Sequence, residues 1–110
     1  MNSVGQGQKE SRHIDTSGLR AIAIHYGRDA QVVKTFEELG EFAAALSRYH
    51  AKPSDQHWSG LVEELADLQN MLDQLVMLFG FTTAVEQVRQ AKILRQLSRI
   101  RLERLGGSND

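Results

Sequence analysis

The sequence predicts an all-α protein, read as four successive helices. Three observations predict it. Apolar residues recur every three or four positions from Leu19 to Ile100. A single proline occurs in 110 residues. Gly27, Pro53 and Gly80 stand where one periodic stretch gives way to the next. Residues 14–105 are expected to form one helical domain. The tails at 1–13 and 106–110, rich in Gly, Ser, Gln and charge, are expected to be flexible.

The first helix is short. Thr16 or Ser17 is placed to cap it, Leu19, Ile22, Ala23 and Tyr26 form its apolar side, and Gly27 ends it. The second is expected to start with Asp29 as N-cap and to end near Tyr49. Its apolar stripe is Val32, Val33, Phe36, Leu39, Ala43 and Leu46. Residues 51–58 read as a loop, because Lys52-Pro53-Ser54-Asp55 is turn chemistry. The lone Trp58 reads as a core or interface residue before a ligand-stacking one. The third helix is expected from about Ser59 to Phe79. Leu61, Leu65, Leu68, Leu72, Leu75 and Phe79 give it a heptad-like seam, suited to a bundle or a subunit contact. The fourth opens on a Thr83-x-x-Glu86 capping box and runs towards Leu105.

Composition excludes several classes of function. Without cysteine the chain has no disulfide framework, thiolate nucleophile or cysteine zinc site. A net charge of −1 gives no global attraction to nucleic acid or to a membrane surface. No apolar run approaches a membrane span and the start lacks a signal-peptide core, so a cytoplasmic location is expected. None of the four histidines follows a glutamate by three residues, which argues against a carboxylate-bridged di-iron bundle.

The informative stretches are acidic. Glu37-Glu38-Leu39-Gly40-Glu41 and Glu63-Glu64-Leu65-Ala66-Asp67 both lie mid-helix among apolar residues, on consecutive helices that a short loop would fold antiparallel. Glu38 shares a helix face with Glu41, and Glu64 with Asp67. Like charges at that spacing weaken a helix by a few tenths of a kcal/mol. A solvated face accounts for either run alone. The two together suggest a cation between them, and carboxylates without His or Cys favour a hard one: Mg²⁺, Mn²⁺ or Ca²⁺. The fourth helix adds a basic stripe, with Lys92, Arg95 and Arg99 on one face. Carboxylates beside a basic stripe suit a polyphosphate held with Mg²⁺, normally a nucleotide.

Glu37-Glu38-x-x-Glu41, a gap over residues 42 to 63, then Glu64-x-x-Asp67 resembles the motif of the MazG-like all-α nucleoside triphosphate pyrophosphohydrolases. The run from Glu63 to Leu75, His25-Tyr26-Gly27 with Gln31, and Lys92-x-x-Arg95 look like small phage or mobile-element members in particular. The resemblance covers roughly residues 20 to 100. It implies a four- or five-helix fold assembled as a homodimer or homotetramer. It also implies Mg²⁺-dependent hydrolysis of a (deoxy)nucleoside triphosphate to monophosphate and pyrophosphate, with Mn²⁺ as a substitute ion.

By matching positions, Glu38, Glu41, Glu64 and Asp67 are the expected metal ligands. Glu37 is the candidate to orient or deprotonate water. Lys92 and Arg95, with Lys34 and Arg99 behind them, are the candidates for phosphate oxygens, and Gln31 for base or sugar. Gly40 departs from good helix chemistry inside the motif, and a close helix crossing is the expected reason. The competing reading is a non-catalytic helical interaction module whose acids are surface. Nucleic-acid binding through the basic helix ranks below both, since neighbouring acids would repel the backbone.

Overall fold

The computed structural model describes residues 13–106. The tails assigned at 1–13 and 106–110 lie outside the described residues except for His13 and Gly106. All described elements are α-helices: α1 Thr16–Tyr26, α2 Arg28–Ala51, α3 Asp55–Phe79 and α4 Thr82–Arg104. The chain divides into two compact units, Met1–Phe79 with α1 to α3 and Gly80–Asp110 with α4. No described helix is long and apolar enough to cross a membrane.

The helix ends differ from expectation in chemistry more than in place. Asp15, not Thr16 or Ser17, caps α1, its carboxylate accepting from the Gly18 N–H at 2.7 Å. Gly27 ends α1 and also serves as the N-cap of α2, at φ 87°, a left-handed conformation that a side chain would strain. Asp29 is therefore inside the first turn of α2, where its charge suits the helix dipole. The second loop is shorter than expected. The Ser54 hydroxyl accepts from the His57 N–H at 3.0 Å, α3 starts at Asp55, and Trp58 lies on the helix. The Thr83–Glu86 capping box is not formed, because Phe81 takes the N-cap position of α4 and no side-chain capping bond closes it.

In the first unit α2 and α3 form an antiparallel hairpin. Gln31 meets Gln74 near one end, and Glu38 meets Glu64 one helix stretch further on. Helix α1 packs on both through Leu19 and Ala23. The apolar core is small: Leu19, Ala23, Ala45, Leu68 and Met71.

The inward face of α2 is not the expected stripe. Gln31, Thr35, Glu38 and Ala45 are buried, whereas Val33, Phe36, Leu39 and Leu46 are exposed, Phe36 at 69%. Polar residues can face inward here because they satisfy one another. The Gln31 amide donates to Gln74 Oε1 at 2.8 Å, Gln74 Nε2 donates to the Asn70 carbonyl at 3.2 Å, and the Thr35 hydroxyl donates to the Gln31 carbonyl at 2.7 Å. The heptad-like seam of α3 also separates into two. Leu61, Leu68 and Leu75 turn towards α2 and are buried or half-buried, while Leu65 and Leu72 face outward.

The buried amide pair makes a directional prediction. Gln31→Leu leaves the Gln74 acceptor buried without its donor and is expected to cost about 1–3 kcal/mol in urea unfolding. Adding Gln74→Leu is expected to recover part of that loss. A strictly additive double-mutant cycle would show that the amides are not coupled.

Candidate metal centre

The acidic runs meet across the hairpin. Glu38 and Glu41 project one turn apart from α2, and Glu64 projects from α3. Each can offer a carboxylate oxygen within 4.8 Å of the others. Glu38 is 5% exposed, Glu64 is half-buried and Glu41 is exposed, so the group runs from the helix interface out to solvent. Asp67, the fourth expected ligand, is exposed and outside this group of three, one turn beyond Glu64. Its charge still reaches Glu64.

The electrostatics fit a cation. Glu38 Oε1 and Glu64 Oε1 are buried and have no hydrogen-bond partner. Burial pushes the Glu64 carboxyl above the usual carboxylate range, and the negative charges of Glu41, Asp67 and Glu38 push it further the same way. Two orphaned carboxylate oxygens beside a third carboxylate form a hard, all-oxygen donor set.

Part of the missing positive charge is supplied by Lys34. Its ammonium lies 3.4 Å from Glu38 Oε2 and 3.5 Å from Glu37 Oε1. The hydrogen bond to Glu38 and the charges of Glu37 and Glu38 raise the lysine above its usual range. Glu37 is exposed and bound to Lys34, outside the three-carboxylate group.

A cleft of about 470 Å³ is bordered by Lys34 and Glu37 with Gln31 on α2, by Ile22 and Tyr26 on α1, and by Gln74 on α3; none of the three grouped carboxylates lines it. Gln31 thus borders an open space, but its amide nitrogen is committed to Gln74. Gln74 is the site-lining residue that sequence reasoning missed. The stripe Glu64, Asp67 and Met71 points to it, since one more step of three residues reaches Gln74. A larger groove at the hairpin turn, about 550 Å³ between Tyr49, Pro53 and Trp58, carries one carboxylate, Asp55, and cannot match the acidic group as a cation site.

On α4, Lys92 and Arg95 line a shallow depression of about 490 Å³ with Gln87, Val88 and Ala91. Arg99 is exposed on the same helix. Gly40 has open space where a Cβ would stand, so no described helix of the first unit crosses close to it.

The raised Glu64 fixes the sign of a pH effect. The folded state holds the Glu64 proton more tightly than the unfolded state does. The metal-free protein therefore loses stability as pH rises through the window from the ordinary glutamate range to the raised value. Glu64→Gln is expected to remove that slope and to raise the metal-free melting midpoint at neutral pH. Mg²⁺ or Mn²⁺ is expected to raise the melting midpoint of the wild type and not that of Glu64→Gln. Thermal melts at several pH values, with EDTA and with each ion, check both.

Comparison with known proteins found no matching family model, curated protein or solved structure.

Proposed function

We propose that the chain is a divalent-metal-dependent nucleoside triphosphate pyrophosphohydrolase of the MazG-like kind. It would convert a (d)NTP and water to a (d)NMP and pyrophosphate, as a homodimeric or homotetrameric house-cleaning enzyme of the cytoplasmic nucleotide pool. The observation that carries this reading is the convergence of Glu38, Glu41 and Glu64 within 4.8 Å, with two buried orphan oxygens. The spacing Glu37-Glu38-x-x-Glu41 and Glu64-x-x-Asp67 supports it as well, because it resembles the family's motif without reference to the geometry.

In this reading Glu38, Glu41 and Glu64 hold Mg²⁺, and Asp67 completes the set through its charge or as an outer ligand. When bound, the ion would polarise phosphoryl oxygens and acidify water. The remaining work belongs to the chain. Glu37 accepts the proton of the attacking water. The water oxygen bonds to the α-phosphorus, the bond from that phosphorus to the bridging oxygen breaks, and pyrophosphate leaves. Lys34 neutralises phosphate oxygens from within the first unit, and Lys92, Arg95 and Arg99 are the further phosphate-holding candidates that the motif resemblance implies. The cleft beside Gln31 and Tyr26 takes the sugar or base.

A non-catalytic interaction module is the second reading. The observation in its favour is the exposed apolar surface of α2 and α3.

Pyrophosphate release from a panel of canonical and modified nucleotides separates the two. Wild type is expected to release pyrophosphate with Mg²⁺ and not with EDTA. Glu38→Gln is expected to lower the rate by at least about 100-fold, since lost support of a ligand alone costs 10–100-fold. A folded wild type that releases none from any nucleotide sinks the enzyme reading.

A further inference from the structure

The cleft between α1, α2 and α3 holds a hydrogen-bond relay whose direction is fixed. It starts at a backbone carbonyl. Gln74 Nε2 donates to the Asn70 carbonyl at 3.2 Å and lies 3.7 Å from Met71 Sδ. Turning that amide over would set its oxygen against the Asn70 carbonyl, two acceptors face to face with no hydrogen between them. Gln74 therefore presents Oε1 to α2, where it accepts from Gln31 Nε2 at 2.8 Å. Gln31 in turn has its nitrogen committed to α3 and its oxygen left over. Gln31 is 6% and Gln74 3% exposed, so packing holds both amides in place.

The leftover oxygen is the open end of the relay. Among the described residues Gln31 Oε1 accepts from no group. It is not one of the buried orphan oxygens, which belong to Glu38 and Glu64. Gln31 lines the cleft, so its acceptor faces that space. Ile22, Tyr26, Val33 and Met71 give the same cleft walls suited to the flat faces of a ring. Further along α2, Lys34 borders the cleft and reaches to 3.4 Å from Glu38 Oε2. Gln31 and Glu38 are seven residues apart, about 10 Å along the helix. That is the reach of an extended nucleotide from its base edge to its α-phosphate.

We infer that Gln31 is a specificity-determining residue of this cleft and that Gln74 positions it. Together they select a base with an exocyclic amine, cytosine or adenine, against uracil or hypoxanthine, which carry an oxo group at the same place. The inference rests on the nucleotide reading of the site and adds the class of base to it.

The selection is a matter of lone pairs. An exocyclic amine donates to Gln31 Oε1. An oxo group at that place sets lone pairs against lone pairs and leaves Gln31 Oε1 covered without a donor. The wall offers the oxo group little in return. Gln31 Nε2 and Gln74 Nε2 are engaged within the protein, and the Lys34 ammonium is drawn to Glu37 and Glu38. A glutamine free to rotate would accept from an amine or donate to an oxo group with equal ease. The Asn70 carbonyl, acting through Gln74, removes that choice.

Titration calorimetry with nucleoside monophosphates and Mg²⁺ tests the base preference apart from hydrolysis, because a monophosphate lacks the bond to be cleaved. CMP against UMP and AMP against IMP each change a single group. Wild type is expected to bind CMP and AMP at least about 10-fold more tightly than UMP and IMP, within the range for a buried acceptor left unpaired. Gln74→Leu leaves Gln31 in place but unties it. It is expected to bring both ratios towards one by strengthening UMP and IMP, whereas a merely loosened fold would weaken all four ligands alike. The double variant Gln31→Leu with Gln74→Leu removes donor and acceptor together and is expected to bind the members of each pair equally. Wild type that binds none of the four, or that binds UMP or IMP as tightly as its amino partner, overturns the inference, as does an undiminished ratio in the folded double variant. Pyrophosphate release from the four matching triphosphates is measured alongside. Release at equal kcat/KM from all four overturns the inference and leaves the hydrolase reading standing. Amine-selective binding without release from any of them upholds the inference and sinks the hydrolase reading.

Discussion

Three carboxylates held between two antiparallel helices are the constraint around which the first unit is arranged. Glu38 sits at the helix interface with an oxygen that no protein group satisfies, and Glu64 faces it with another. Such groups are costly in a metal-free protein. The surroundings reduce that cost without removing it. Lys34 places a positive charge against Glu38, Glu64 holds its proton more tightly than usual, and Glu41 reaches towards solvent. Stability is lower here than an apolar pair would give.

The same interface shows how little apolar core the hairpin has. Five hydrophobic residues are buried across the described chain, beside four polar or charged ones. Gln31, Thr35 and Gln74 occupy places that leucines would fill in an idealised bundle. They are tolerated because each finds a partner: an amide, a backbone carbonyl or a neighbouring turn. Gln31 and Gln74 also line the cleft that Lys34 and Glu37 border, so the same amides serve both packing and the cleft wall.

The all-α class, the four helices and the glycine stops at 27 and 80 were legible in the sequence, because each rests on local chemistry. The convergence of Glu38, Glu41 and Glu64 was legible too, since helical spacing and a short loop suffice to bring them together. The inward face of α2 was not. Periodicity locates a stripe that avoids water but does not identify what covers it, so Phe36 and Leu39 were read as core although they point outward. The burial of Gln31 and Gln74 depends on a partner on another helix, beyond the reach of any single-helix pattern. The caps failed for a related reason: Asp15 competed with Thr16 and Ser17, and backbone geometry decided between them.

Lys34 gives the acidic centre an unusual resting condition. A counter-ion from solution can be diluted or chelated away. A lysine one turn along the same helix cannot, because the chain fixes its effective concentration. Glu38 therefore has a resident cation on one oxygen and an unsatisfied oxygen on the other. In the proposed metal-bound state an arriving ion would take over from this tether instead of entering a field of bare negative charge.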